Sequence, residues 1–343
     1  MDRASNSNST IDPAAVPLCV DLDGTLVRSD TLWETILQLA KRRPGAIVPL
    51  IGRYLSGGRS AFKSAAVDAL VIDPAALPYH DDVLAEIRRA RAGGRPVLLV
   101  TGANERLAQA VADHVGLFDG VIGSRLGSNN TGQDKADELS RRYGLRRFDY
   151  FGNSHADLKV WAQSHAALVI GSSRLKEQAG QRAPVAFHAP AATVGRGRAI
   201  LQALRPLCWP LDFLVVLPSL AVGHVGRITI TAFIGVWGIA AAFRILGELT
   251  DLPAFRKRPD SARHPFAAGN LPLSQGVGMV VASFLIGCTC FAFAPWDLLP
   301  WVGGFVAASL ARAILCRSGS TLDRGLAVVQ IAIRLAIGTL AAG

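Results

Sequence analysis

A chain of 343 residues is long enough to form two domains, and half of its residues are hydrophobic. Its formal charge of +10 does not indicate a nucleic-acid-binding protein, because no basic stripe is interleaved with aromatic residues and much of the positive excess lies beside apolar segments. The five cysteines lack the spacing of a metal site, so we interpret them as small buried hydrophobic residues. Residues 1–205 hold most of the acidic residues and 206–343 the long apolar runs, which predicts a soluble part followed by a membrane part.

The N-terminal segment is polar. Residues 1–14 are rich in serine and asparagine and are expected to form a disordered lead. They lack the apolar core of a signal peptide, so the soluble part is expected to stay in the cytosol.

Two aspartates follow the first apolar run. Residues 16–20 predict a buried parallel strand that ends in Asp21 and Asp23, and a Gly-Thr turn comes next. At the carboxyl edge of an open α/β sheet, one of these carboxylates can serve as a nucleophile and the other as an acid and base. Both acids and nearby backbone groups can also hold a cation. The alternative is a plain Asp-Gly turn, which would need no polar partners farther along the chain.

The next segment is helical. Residues 30–42 are expected to form a helix with Asp30 as its N-cap. Residues 44–77 are also helical, with a break at Gly57-Gly58, and their position between two strands predicts a small cap over the site. Three basic side chains of this cap either meet a phosphorylated substrate or form a solvated helix face: Arg53, Arg59 and Lys63.

Strands and helices alternate in the rest of the soluble part. Helices are predicted at 81–92 and 104–115, and a hairpin tip at 127–134. Further strands are predicted at 96–102, 120–123, 148–152, 166–170 and 185–188. Five or six strands alternating with helices predict an α/β fold with a doubly wound parallel sheet. Polar residues lie after the strands or at a helix start, at Thr101, Lys135, Asn153 and Asp157.

These residues resemble the four motifs of the haloacid dehalogenase-like (HAD) phosphohydrolases. Asp21-x-Asp23-Gly24-Thr25 matches the first motif, and Thr101, Lys135 and the Asn153–Asp157 loop match the next three in order. The resemblance implies that Asp21 attacks phosphorus and forms an aspartyl-phosphate, and that Asp23 protonates the leaving group. It also implies that Thr101 hydrogen-bonds the phosphoryl group and that Lys135 neutralises phosphate and nucleophile.

The same resemblance implies a Mg²⁺ cofactor and a phosphorylated small molecule as substrate. The implied metal residues are Asp21, Asp23, Asp157 and Asn153. Asn153 stands where many relatives have aspartate. An asparagine can still coordinate through its carbonyl oxygen or through water, but it lowers the charge of the site.

Five apolar segments follow, each close to the length of about 20 residues that crosses a bilayer. They lie at 208–225, 228–247, 274–294, 297–315 and 325–341. They predict an all-α, multi-pass membrane domain of about five helices, and the alternative is a soluble helical domain. Basic residues in the loop 248–273 predict that this loop and the N-terminal domain face the cytoplasm, with the chain in the cell inner membrane.

The loop after the second apolar segment resembles the first motif of UbiA-type membrane prenyltransferases, especially HAD–UbiA fusions and the decaprenyl-phosphate phosphoribosyltransferases. Glu248 and Asp251 occupy acidic positions of that motif, whereas Gly247 and Phe255 depart from it. The implied site for a diphosphate and Mg²⁺ comprises Glu248, Asp251, Arg256, Arg317 and Asp323. The chain has fewer predicted helices than that family, so a shortened domain that anchors the phosphatase, or pairs with a second chain, is expected.

We therefore expect a disordered lead at 1–14, a HAD-like domain at 15–200 and a truncated UbiA-like domain at 206–343. The leading hypothesis is a membrane-bound, Mg²⁺-dependent phosphatase in polyprenyl-phosphate or lipid-linked sugar metabolism, for example in supplying a polyprenyl-phospho-arabinose donor for glycolipid or nodulation-signal arabinosylation. One alternative is prenyl- or phosphoribosyl-transferase activity in the membrane half. Another is a non-catalytic scaffold for a UbiA-type partner or a homo-oligomer.

Overall fold

The computed structural model describes residues 16–124, 132–192, 194–292, 294–315 and 320–342. The predicted lead at 1–14 and most of the predicted hairpin tip at 127–134 lie outside these residues. The chain divides into two compact units, Met1–Thr35 with Val48–Thr193 and Ile36–Ile47 with Val194–Gly343.

The first unit is built on a parallel sheet. Its six described strands are β1 (Leu18–Val20), β2 (Val97–Asn104), β3 (Gly120–Ser124), β4 (Asp149–Gly152), β5 (Ala167–Ile170) and β6 (Val185–Ala189). Their order is β3-β2-β1-β4-β5-β6, and every neighbouring pair is parallel. This is the doubly wound arrangement predicted from the sequence. The winding reverses beside β1, the position where such sheets place their ligands.

Both faces of the sheet are covered, as the unbroken apolar run of β1 requires. Successive side chains of a strand point to opposite faces, so Leu18 and Val20 pack in one apolar layer and Cys19 packs in the other. The second layer also contains Phe148, Tyr150 and Trp161, which are fully buried. The strand that carries the two aspartates is therefore fixed from both sides.

Helices connect the strands. They span Thr31–Arg42, Ile47–Ala69, Asp81–Ala92, Glu105–Val115, Gln133–Tyr143, Leu158–Trp161 and Ser173–Gly180. The predicted N-cap is confirmed, since the Asp30 carboxylate accepts a hydrogen bond from the Trp33 amide at 3.0 Å. The predicted break is present at Gly58, whose φ of +67° interrupts the helix Ile47–Ala69.

The second unit is helical. Its helices span Arg196–Leu204, Trp209–Asp212, Leu217–Ala221, Arg227–Thr250, Leu252–Arg256, Leu273–Ala292, Leu299–Leu315 and Thr321–Ala342. Within the described residues, four segments are long and apolar enough to cross a membrane: Arg227–Thr250, Leu273–Ala292, Trp296–Ile314 and Thr321–Ala342. They coincide with four of the five predicted segments, and they indicate a membrane protein.

The remaining predicted segment, 208–225, is not one continuous helix. It consists of short pieces, among them the helices Trp209–Asp212 and Leu217–Ala221. Each of these helices has a proline in its first turn, Pro210 or Pro218. Proline is tolerated at a helix start but disrupts a helix interior, because it lacks the backbone N–H and clashes with the preceding turn.

Two of the candidate membrane helices, Arg227–Thr250 and Leu273–Ala292, pack closely through glycine. A Cβ on Gly238 of helix Arg227–Thr250 would lie 2.8 Å from the Ser283 carbonyl oxygen, and one on Gly287 would lie 2.9 Å from the Gly235 carbonyl oxygen. Such backbone approach is typical of helix pairs in lipid. Cys288, on the same helix as Gly287, is exposed on its outer surface, so the prediction that the cysteines are buried is wrong for this residue.

Candidate active site in the first unit

A cavity of about 210 Å³ lies at the carboxyl ends of β1 and β2. The residues that line it include Asp21, Asp23, Lys63, Thr101, Lys135 and Asp157. Asp21 and Asp23 follow β1, Thr101 lies in β2, and Lys135 begins a helix. Five of the predicted site residues are thus brought together from distant parts of the chain, because parallel strands present their carboxyl ends at one edge.

Asp21 and Lys135 form a buried ion pair. The Lys135 Nζ donates to Asp21 Oδ1 at 2.9 Å, and both residues are largely excluded from solvent. Burial raises the pKa of Asp21 to about 6, against the lowering effect of Lys135. Burial opposes the charge of Lys135, but the carboxylates of Asp21 and Asp157 outweigh it and raise the pKa of the lysine. Lys135 is therefore a permanent cation beside the carboxylate of Asp21.

A tyrosine joins this pair to the fourth motif. The Lys135 Nζ also donates to the Tyr150 hydroxyl at 2.7 Å, and that hydroxyl donates to Asp157 Oδ1 at 3.2 Å. Burial and the charge of Asp157 raise the pKa of Tyr150 well above its ordinary value, so the hydroxyl stays protonated. Sequence reasoning assigned no role to Tyr150, because it lies within the apolar strand that precedes the polar residues of the fourth motif.

Asp157 is held by the loop that follows β4. Its Oδ2 accepts hydrogen bonds from the backbone amides of Asn153 at 3.0 Å and Ser154 at 2.9 Å, and from the Ser154 hydroxyl at 2.8 Å. The Asn153 side chain does not line the cavity; it lies against Gly24, where a Cβ would come within 2.0 Å of Asn153 Nδ2. Gly24 has a φ of +73°, in the left-handed region that favours glycine, and a side chain at this position would collide with Asn153.

Asp23 has an environment suited to proton transfer. Its Oδ1 accepts a hydrogen bond from the Thr31 amide at 2.8 Å, at the start of helix Thr31–Arg42. Burial raises the pKa of Asp23 to about 7, with repulsion from Asp30 as the next cause. A carboxyl group with a pKa near neutrality can both give and take a proton at physiological pH.

Thr101 and Lys63 complete the cavity wall. The Thr101 hydroxyl is almost fully buried and accepts a hydrogen bond from the Ala103 amide at 3.0 Å. Lys63 belongs to the kinked helix and donates to the Gly102 carbonyl oxygen at 3.0 Å. Of the three basic residues considered for the cap, Arg53 is exposed, Lys63 reaches the cavity, and the side chain of Arg59 lies outside the described part of the chain.

The donor set is compatible with Mg²⁺. Within the described ranges no three His, Cys, Asp or Glu residues come together as a metal site. Mg²⁺, however, is commonly held by one or two carboxylates, with water and substrate phosphate completing its shell. Asp21 and Asp157 are close enough for Asp157 to raise the pKa of Asp21 by repulsion, and a cation between such groups would relieve that repulsion. Asp21 and Asp157 therefore fit a magnesium ion, with Asp23 beside them.

The predicted site in the second unit is only partly assembled. Glu248 Oε1 accepts from the amides of Phe266 and Ala267 at 2.9 and 3.2 Å, and Arg256 donates to the Ala267 carbonyl oxygen at 3.0 Å. These two residues hold the loop in place, and among the described residues they line neither the hydrolase cavity nor the cavity of the second unit. Asp251 and Asp323 line a second cavity, whereas Arg317 lies outside the described residues.

Residues 18–161 match the family model of the haloacid dehalogenase-like hydrolases. The chain is 28% identical over 340 residues to the uncharacterized protein y4nM of Sinorhizobium fredii, covering 96% of this chain and 64% of that protein. In its C-terminal region it is 27% identical over 154 residues to the decaprenyl-phosphate phosphoribosyltransferase of Corynebacterium glutamicum, covering 42% of this chain and 46% of that protein. The chain thus spans less than two thirds of the length of either relative.

Solved structures also share similarity with this chain. A protein with unknown function from Bordetella pertussis Tohama I is 18% identical, with a TM-score of 0.39 and coverage of 51% of this chain and 99% of that one. A phosphoserine phosphatase in apo form is 13% identical, with a TM-score of 0.35 and coverage of 50% and 92%. The family model and the ordered motifs carry the assignment. Residues 18–161 therefore form a haloacid dehalogenase-like hydrolase domain, which is followed by a helical unit with four candidate membrane spans and limited similarity to a prenyltransferase.

Proposed function

We propose that this protein is a membrane-anchored phosphatase that works through an aspartyl-phosphate on Asp21. The observation that carries the proposal is the buried pair of Asp21 and Lys135, 2.9 Å apart, in a cavity that also contains Asp23. A carboxylate held beside a permanent cation can approach a phosphate group that would otherwise repel it.

The proposed reaction has two steps. An Asp21 carboxylate oxygen forms a bond to phosphorus while the phosphorus–oxygen bond of the substrate ester breaks, and Asp23 gives its proton to the departing oxygen. Asp23 then takes a proton from water as the water oxygen attacks phosphorus, and the bond between phosphorus and Asp21 breaks. Inorganic phosphate leaves, and both aspartates return to their starting states.

The remaining cavity residues orient the phosphoryl group and neutralise its charge. Lys135 and Lys63 supply positive charge, and the Thr101 hydroxyl can donate to a phosphoryl oxygen while it accepts from Ala103. Asp21 and Asp157 would hold Mg²⁺, with Asp23 nearby and the Asn153 side chain directed elsewhere. When bound, the ion supplies charge neutralisation at the phosphoryl oxygens.

The proposed substrate is a phosphate ester on a polyprenyl-linked sugar. Two findings support this class: the four apolar helices, and the similarity to a protein named for a reaction of decaprenyl phosphate. Removal of phosphate from such a lipid would fit the supply of a polyprenyl-phospho-arabinose donor for glycolipid or nodulation-signal arabinosylation. The basic loop 248–273 supports an inner-membrane location with the hydrolase domain on the cytoplasmic side.

The test is phosphate release by the full-length protein in detergent with Mg²⁺. Polyprenyl-phospho-5-phosphoribose and simple phosphomonoesters are compared, with Asp21→Asn as the inactive variant and the exposed Asp82→Asn as a matched control. We expect release that Asp21→Asn abolishes and Asp82→Asn leaves unchanged. The absence of release from every substrate by folded protein would refute the phosphatase assignment, and release from soluble esters alone would refute the lipid substrate.

A further inference from the structure

The second unit contains a cavity of about 350 Å³. Its lining includes apolar side chains, among them Leu211, Ala240 and Phe243. It also includes six cationic side chains, those of Lys41, Arg205, Arg244, Arg258, Arg312 and Arg334. Asp251 and Asp323 are the carboxylates among the described lining residues. A cavity lined by both apolar and cationic side chains suits an amphiphile with an anionic head.

Most of these cations have a carboxylate of their own. The pairs are Lys41 with Asp251 at 2.7 Å, Arg312 with Asp323 at 2.9 Å, Arg258 with Asp260 at 2.9 Å and Arg205 with Glu248 at 3.2 Å. Arg244 and Arg334 instead share the fully buried Asp212, at 3.0 and 2.9 Å. Among the described members of this cluster, one positive charge is therefore in excess, and it resides on this shared pair.

The shared pair lies inside membrane-spanning segments. Arg244 belongs to helix Arg227–Thr250 and Arg334 to helix Thr321–Ala342. Charged side chains at such depth are costly and usually mark a site of function. The Arg334 guanidinium is positioned by the Phe305 ring, 4.6 Å from its centroid, and the Arg244 Nε is buried with no hydrogen-bond partner. Arg244 thus retains a donor that a ligand can use.

This region does not fit a bound divalent cation, because its described cations outnumber its carboxylates. The Glu248 carboxylate accepts hydrogen bonds from two backbone amides and also contacts the side chains of Arg205 and His264. Asp251 is paired with Lys41. Asp323 is paired with Arg312, and Phe255 replaces a further acid of the prenyltransferase motif. A phosphate in this cavity would meet guanidinium groups directly, and the planar guanidinium binds phosphate well without a metal.

We propose that this cavity binds the phosphate headgroup of a phosphorylated lipid without Mg²⁺, through Arg244 and Arg334. The excess charge on the shared pair is the counter-charge for the phosphate, and the apolar lining residues contact the start of the lipid chain. This site is separate from the hydrolase cavity and does not depend on phosphatase activity.

The test uses the full-length protein with Asp21→Asn, so that no ligand is hydrolysed, in a neutral detergent with EDTA. Dodecyl phosphate is titrated as the probe, with dodecanol and inorganic phosphate in parallel arms. We expect saturable binding of dodecyl phosphate and weaker or absent binding of the other two. Arg244→Gln and Arg334→Gln should each weaken binding by roughly tenfold or more, whereas the exposed Arg227→Gln should not.

Each single glutamine variant still leaves one arginine paired with Asp212, so we expect each variant to fold. Thermal unfolding of the Asp21→Asn parent gives a second measurement that needs no further variant, since dodecyl phosphate should raise the midpoint in EDTA and dodecanol should not. A requirement for Mg²⁺, equal binding of dodecanol, or unchanged affinity in both glutamine variants would overturn the proposal. Equal binding of inorganic phosphate would overturn the assignment to a lipid.

Discussion

Replacing Tyr150 with phenylalanine removes one buried oxygen that contacts two residues of the hydrolase cavity. The variant keeps the buried ring but loses the hydrogen bonds of the hydroxyl to Lys135 at 2.7 Å and to Asp157 at 3.2 Å. A hydrogen bond to a charged group contributes about 1.5–3 kcal/mol. Lys135 keeps its contact with Asp21, and Asp157 keeps the three donors on its other oxygen. The two groups would therefore stay in place but less firmly oriented.

We expect this change to lower transition-state stabilisation by about 2 kcal/mol, which corresponds to a kcat lower by roughly thirtyfold. The effect should fall on kcat more than on KM, because Tyr150 orients Lys135 and Asp157 and does not line the cavity. The assay is steady-state phosphate release from a simple phosphomonoester by full-length protein with Mg²⁺.

Tyr79→Phe is the matched control. Its hydroxyl donates to the Pro74 carbonyl oxygen at 3.0 Å, among residues that do not line the hydrolase cavity. We expect this control to retain kcat. A Tyr150→Phe variant with a kcat within about twofold of the unmodified protein would refute the idea that the hydroxyl positions Lys135 and Asp157.

The pH profile and one glycine provide two further predictions. We expect kcat/KM to fall below about pH 6, where Asp21 gains a proton, and above about pH 7, where Asp23 loses the one it must give. Asp30→Asn should move the alkaline limb to lower pH, because repulsion from Asp30 contributes to the raised pKa of Asp23; an unmoved limb would contradict this. Gly24→Ala should destabilise the first unit by more than the ~1–2 kcal/mol expected for Gly94→Ala. The backbone φ is similar at the two positions, +73° at Gly24 and +75° at Gly94, but only the new Cβ at position 24 collides with the Asn153 side chain. Urea unfolding measures both losses, and equal losses would count against the collision.

The sequence predicted the sheet and its reactive edge because both follow from local patterns. A short apolar run followed by polar residues marks a buried parallel strand, so Asp21 and Thr101 could be assigned to strand ends. Lys135 was predicted from its place in an ordered set of motifs, and the structure places its Nζ 2.9 Å from Asp21 Oδ1. These positions need only the direction of each strand and not the details of packing.

Other contacts depend on geometry that no single segment contains. The Tyr150 hydroxyl reaches Lys135 because β4 lies beside β1, and Lys63 reaches the cavity from a helix that bends at Gly58. The segment 208–225 is a different case, because its two prolines were visible in the sequence. Mean hydropathy over such a window is high whether or not the helix is continuous, and hydropathy alone therefore predicted a span.

Cys19 has a practical consequence for studying the folding of the first unit. It is the one cysteine before residue 208, it is fully buried in β1, and it precedes Asp21 by two residues. Burial raises the pKa of its thiol, so the group is protonated and shielded from alkylating reagents. Its alkylation rate would therefore report how often the central strand opens to solvent. This built-in probe can separate variants that damage the chemistry from variants that loosen the sheet beneath it.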